Sequence, residues 1–142
     1  MELGTFGAIL TFALEFEGNI TRFFEAAAGK AGKGEAGDLF AGLAEAGEKR
    51  LKVLERTRRE NVAEMILEPI SDFTSEEYPC ETAVSAGASA ADLVKQAVGL
   101  ETTAEAYYVA ASGKVTVPEV ARILKKIAKQ HADQKVMLED LA

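Results

Sequence analysis

Glu17, Gly47, Glu101 and His131 each stand seven residues before a hydrophobic partner: Phe24, Leu54, Tyr108 and Leu138 in turn. An offset of seven returns an α-helix to nearly the same face, so each first residue points into the interior its partner fills. One layer of a helical bundle then holds two carboxylates, a glycine and an imidazole. The next layer, three residues on, holds Ile20, Arg50, Ala104 and Gln134. The third, Phe24, Leu54, Tyr108 and Leu138, is apolar. Polar groups are costly to bury unpartnered, so such a layer marks either a metal centre or a buried ionic cluster.

Two chemistries fit these residues. Glu17, Glu101 and His131 offer two carboxylates and one imidazole, a donor set for a single iron, zinc or manganese ion. In the other reading, Arg50 supplies the countercharge that two carboxylates need in a low-dielectric interior. Its guanidinium would satisfy both through forked hydrogen bonds, with Gln134 completing the cluster. Gly47 costs about 1 kcal/mol in a helix interior relative to Ala and leaves room beside the layer. Each residue also has a plainer reading. A histidine on an apolar face is more often a hydrogen-bonded core residue than a ligand. Arg50 can instead turn to solvent with Leu51 inside, Tyr107 and Tyr108 read as packing rather than a redox relay, and Glu48 and Glu105 enter only if the register slips.

Four helices must carry the layer, at about residues 2–28, 36–66, 89–112 and 117–141. The first reads from Phe6, Leu10, Ala13, Ile20 and Phe24 and is broken by Gly29 to Gly34. The second reads from Phe40, Leu43, Leu54 and Met65 and stops at Glu68-Pro69, because the residue before proline avoids helical geometry. Ser89 with Asp92 starts the third, and Gly113 ends it. Thr116-Val117-Pro118-Glu119 starts the fourth as a capping box with proline in the first turn. Between helices two and three runs a crossover in which Thr74-Ser75-Glu76-Glu77 can form one turn, Thr74 capping and Glu77 returning. Two short connections and one long one describe an all-α, ferritin-like four-helix bundle, two helical hairpins joined by a long crossover.

Composition narrows the partners. The 142 residues suit a single domain, 1–142, with a real core; they are 48% hydrophobic, with no Trp and only three prolines. A net charge of −7 makes nucleic acid an unexpected partner. The stretch Lys49, Arg50, Lys52, Arg56, Arg58, Arg59 is interleaved with Glu48, Glu55 and Glu60 and reads as a solvated helix face rather than a phosphate-binding patch. Cys80, the only cysteine, excludes an internal disulfide and reads as a loop thiol in a reducing compartment. No stretch is long and apolar enough for a membrane, and the first residues lack a secretory pattern. A cytoplasmic homo-oligomer, a dimer favoured, with no membrane partner, is the expectation.

Several segments carry a family likeness: Leu14-Glu15-Phe16-Glu17 with Phe24, and Leu43-Ala44-Glu45-Ala46-Gly47-Glu48-Lys49-Arg50 with Leu54. Glu68-Pro69-Ile70, Glu101 with Tyr108, and Ile127-Ala128-Lys129-Gln130-His131 with Leu138 complete the set. Over nearly its whole length the chain resembles the rubrerythrin branch of the ferritin-like superfamily. The resemblance implies a bundle that binds two irons and reduces peroxide or reacts with oxygen, with one Glu from each of two helices and Glu-x-x-His from each of the others. Glu17 and Glu101 match the single Glu ligands. Gly47 and Arg50 stand at the first Glu-x-x-His, and His131 and Gln134 at the second. With most of that set replaced, the expectation is a non-redox binding or structural bundle with no cofactor. The alternative is a metal-binding oxidoreductase using Glu17, Glu101 and His131.

Overall fold

The computed structural model describes residues 1–61 and 69–141. Four helices carry the chain: α1 (Phe6–Ala31), α2 (Glu35–Glu60), α3 (Ala90–Lys114) and α4 (Pro118–Leu141). α1 packs along α2, and α3 along α4, as two antiparallel hairpins that then face one another. The connection between hairpins is the long one, as the sequence requires.

Local chemistry sets the ends. Thr5 caps α1 by accepting a hydrogen bond from Ala8 N at 3.0 Å. Gly32 ends it at φ 68°, a left-handed conformation that favours glycine. The Ser89–Asp92 capping box forms in full, with reciprocal bonds of 3.1 and 3.0 Å. α4 begins at Pro118, where proline needs no donor, but it is Val117 O rather than Thr116 that takes the first intrahelical bond, from Ala121 N.

Other boundaries differ from expectation for identifiable reasons. α1 starts at Phe6 rather than residue 2, because Glu2 pairs with Thr74 in an antiparallel bridge and Leu3 N donates to Phe73 O at 2.9 Å. Leu3 and Phe73 are both buried, and this short pairing satisfies the backbone they take inside. Gly113 does not end α3, which runs to Lys114; a buried Val115 in extended conformation makes the turn. The crossover turn forms as a 3₁₀ turn over Ser75–Glu77, without a side-chain bond from Thr74. The expected continuation of helix two to residue 66, with Met65 inside and the stop at Glu68-Pro69, lies outside the described residues.

Two apolar clusters fill the bundle. One gathers Leu10, Leu54, Tyr108 and Leu124 with Leu3 and Phe73 of the crossover end. The other gathers Phe24, Phe40, Leu93 and Leu138. The expected third layer is therefore split between the two ends. Neighbouring helices in each hairpin run in opposite directions, so a step of seven moves toward one end on α1 and α4 and toward the other on α2 and α3. Equal offsets identify a common interior, not a common level. The polar residues lie where the two clusters meet. No helix among the described residues is long and apolar enough to cross a membrane.

Candidate functional site

At this level Glu17, Arg50, Glu101, His131 and Gln134 are all buried, each at most 5% exposed. They form a closed ring of hydrogen bonds through all four helices. Arg50 Nε donates to Glu17 Oε2 at 3.1 Å, and Arg50 Nη1 donates to Gln134 Oε1 at 2.9 Å. Gln134 Nε2 donates to Glu101 Oε2 at 3.0 Å, which also meets His131 Nδ1 at 2.9 Å. The other ring nitrogen, His131 Nε2, faces Glu17 Oε1 and closes the circuit. Tyr108 adds a hydroxyl to Glu17 Oε1 at 3.0 Å and stacks on the imidazole, with ring centroids 5.5 Å apart. Arg50 does not fork between the two carboxylates as expected. It reaches Glu17 directly and Glu101 through the Gln134 amide.

Charge and protonation follow from the circuit. Burial pushes the imidazole toward neutrality, but the Glu17 charge and the bonds to Glu101 and Glu17 outweigh it, raising the His131 pKa to about 9. Burial likewise raises the Glu17 pKa, and the charges and hydrogen bonds of His131 and Arg50 overcome it, lowering the pKa to about 2. A protonated imidazole donates from both nitrogens, which is what two carboxylate oxygens on opposite sides of the ring require. An imidazolium and a guanidinium then balance two carboxylates, and each bond of the circuit runs from a donor to an acceptor, with Arg50 Nη2 and Glu101 Oε1 left without a partner among the described residues. Burial and the Glu17 charge hold the Tyr108 phenol well above its usual range, so it stays a donor.

Position 47 is filled rather than open. A Cβ built on Gly47 would lie 2.2 Å from Thr21 Oγ1 and 3.2 Å from Thr21 Cβ. Thr21 occupies the space that Gly47 vacates, so a glutamate at position 47 has no room while Thr21 is present. Gly47→Ala should therefore destabilise the fold by about 1–3 kcal/mol through overpacking. In a Thr21→Ala background the Oγ1 clash is gone and only the 3.2 Å Cβ contact remains, so the same change should cost clearly less and lie within about 1 kcal/mol of neutral. Urea midpoints of the four proteins in this cycle decide it; an equal effect in both backgrounds would rule out the Thr21 contact.

Sequence reasoning missed Thr21, although it lies one helical turn after Glu17 on the same face, and it took Tyr108 for packing alone. Glu48 is exposed and outside the layer. Arg50 departs from the solvated-face reading of its basic stretch, whereas Arg56 and Glu60 keep it as an exposed i,i+4 pair at 4.0 Å. Burial, then the Glu17 and Glu81 charges, pushes the Cys80 thiol up to about 11, which keeps it from acting as a thiolate near neutrality.

Among solved structures, the chain is similar to the bacterioferritin-related protein from Bacteroides fragilis, a dodecameric thioferritin. The TM-score is 0.72, covering 93% of this chain and 80% of that one, at 17% identity. The fold is ferritin-like. No family model matches the chain, and no curated protein does.

Ferritin-like bundles built around a two-metal centre place six donors in this layer. Here Gly47 offers none, Arg50 is a permanent cation, and Gln134 is an amide engaged on both sides. Both imidazole nitrogens already face carboxylates, on opposite sides of the ring, so Glu17, Glu101 and His131 do not converge on one point. Among the described residues no group of three or more His, Cys, Asp or Glu is arranged to hold a metal ion. The residues present do not fit a two-iron centre.

Proposed function

We propose that this chain is a rubrerythrin-type ferritin-like protein whose two-iron ligand set is mostly lost, serving a non-redox binding or structural role in the cytoplasm. The closed ring of Glu17, Arg50, Gln134, Glu101 and His131 is the observation that carries this reading. It meets by internal pairing the need for countercharge that a dication would otherwise meet. The ring also ties one hairpin to the other, through His131 to Glu17, Arg50 to Gln134 and Tyr108 to Glu17. Self-association is part of the proposal: the neighbouring fold is that of a dodecamer, and Val109, Val136 and Met137 are exposed on α3 and α4.

A single metal on Glu17, Glu101 and His131 draws on one observation, the buried Glu101 Oε1 that has no hydrogen-bond partner among the described residues. Metal analysis of the purified protein separates the two. With iron, zinc and manganese measured together, the ionic reading expects well under one equivalent of any of them and no oxo-bridged iron absorption. One equivalent that is lost in His131→Gln would favour the single-metal site. Two irons per chain would overturn both.

A further inference from the structure

Outside the ring, a groove of about 440 Å³ runs along the seam between α2 and α4, within the size range of small-molecule sites. Its rim carries Lys49, Arg56 and Lys126, against one acid, Asp133, which is itself held by Lys129 at 3.2 Å. Three cations on one seam stand out in a chain whose net charge is −7. Arg56 is only loosely engaged, by Glu60 at 4.0 Å. The walls are apolar, formed by Val53, Ile123 and Met137.

The inner side of the groove includes Arg50, which is 4% exposed and whose Nη2 has no hydrogen-bond partner among the described residues. Gln130, half-buried and also lining the groove, meets Nη1 at a long 3.5 Å. An unsatisfied buried guanidinium nitrogen is expensive, and because Nη2 is closed to solvent an acceptor from the groove would relieve it only with a small shift of the side chains that cover it. A cationic rim with apolar walls and a donor at its base calls for a ligand with a singly charged, planar acceptor head and a hydrocarbon body. Because Arg50 is already paired with Glu17, a monoanion suits the site better than a doubly charged phosphate.

We infer that the α2–α4 groove binds a small aliphatic carboxylate, its head toward Arg50 beneath the Lys49–Lys126 rim and its tail along Val53, Ile123 and Met137. This gives the binding role proposed above a ligand class and rests on it only in needing Arg50 to remain in the buried ring. Metal content tests that reading and ligand titration tests this one, so either can fail alone.

Octanoate is the probe, titrated calorimetrically into the full chain at low ionic strength, with octan-1-ol and inorganic phosphate as its tail-only and head-only counterparts. The expected result is one octanoate per chain, with either counterpart at least about tenfold weaker. Lys49→Glu combined with Lys126→Glu, both at exposed positions, should weaken octanoate at least about tenfold, while Lys95→Glu on α3 should leave it unchanged. Absence of octanoate binding at millimolar concentration would overturn the inference. So would equal affinity for octan-1-ol, binding that survives the double substitution, or a groove closed by a second copy, seen as dissociation of an oligomer by that substitution without octanoate binding.

Discussion

Arg50→Ala is expected to destabilise the fold by roughly 3–5 kcal/mol, the range for removing one partner of a buried ion pair. The substitution leaves Glu17 Oε2 and Gln134 Oε1 without their donors and leaves two carboxylates facing one imidazolium. Glu17→Gln in the same background should recover part of the loss, because the remaining Glu101 and His131 then balance. Arg56→Ala, at an exposed i,i+4 pair on the same helix, should cost less than about 1 kcal/mol. Urea unfolding of these proteins at neutral pH gives the comparison. If Arg50→Ala falls in the same range as Arg56→Ala, the guanidinium contributes nothing to the ring.

The second large effect is a loss of stability on the alkaline side. In the unfolded chain His131 titrates near its ordinary 6.5; in the folded protein its pKa is about 9. A raised folded pKa stabilises fully below the unfolded value and is lost as pH climbs through the folded one. Stability should therefore decline between about pH 6.5 and 9, by roughly 3 kcal/mol, because each tenfold gain in proton affinity is worth about 1.36 kcal/mol. Glu17 acts in the opposite sense: its pKa falls from 4.5 to about 2, so its contribution is complete above pH 4.5 and lost as pH drops through 2. A plateau between about 4.5 and 6.5 follows. In His131→Gln the alkaline decline should flatten. If the wild type loses no more stability from pH 6 to 9 than that variant does, His131 is not held as a cation.

The bundle was legible because the amphipathic spacing of Phe6, Leu10, Phe24, Leu54, Tyr108 and Leu138 records which face of each helix is inside. The same spacing brought out Glu17, Arg50, Glu101, His131 and Gln134, which all sit in one network. What it left out depends on the third dimension. Periodicity has no sign, so it could not tell that equal offsets on antiparallel helices lead to opposite ends, and the supposed apolar layer came apart. Gly47 read as open space because a glycine reveals nothing about its neighbour across the helix pair; Thr21 fills that space. The helix was expected from residue 2, but backbone pairing of Glu2 and Leu3 with Thr74 and Phe73, far along the chain, outcompeted it. The routing of Arg50 to one carboxylate, and of His131 to both, is set by side-chain reach that spacing does not encode.

The ring stands or falls on a doubly protonated imidazole between Glu17 and Glu101. His131 is the only histidine in the chain, so ¹⁵N-labelled histidine reports it without overlap. Long-range ¹H–¹⁵N correlation should show both ring nitrogens protonated at neutral pH, with their resonances moving only as pH passes about 9. Addition of ferrous iron or zinc at neutral pH should leave both resonances in place. One protonated and one bare nitrogen at pH 7, or movement of a single nitrogen resonance on adding metal, would contradict the ionic ring.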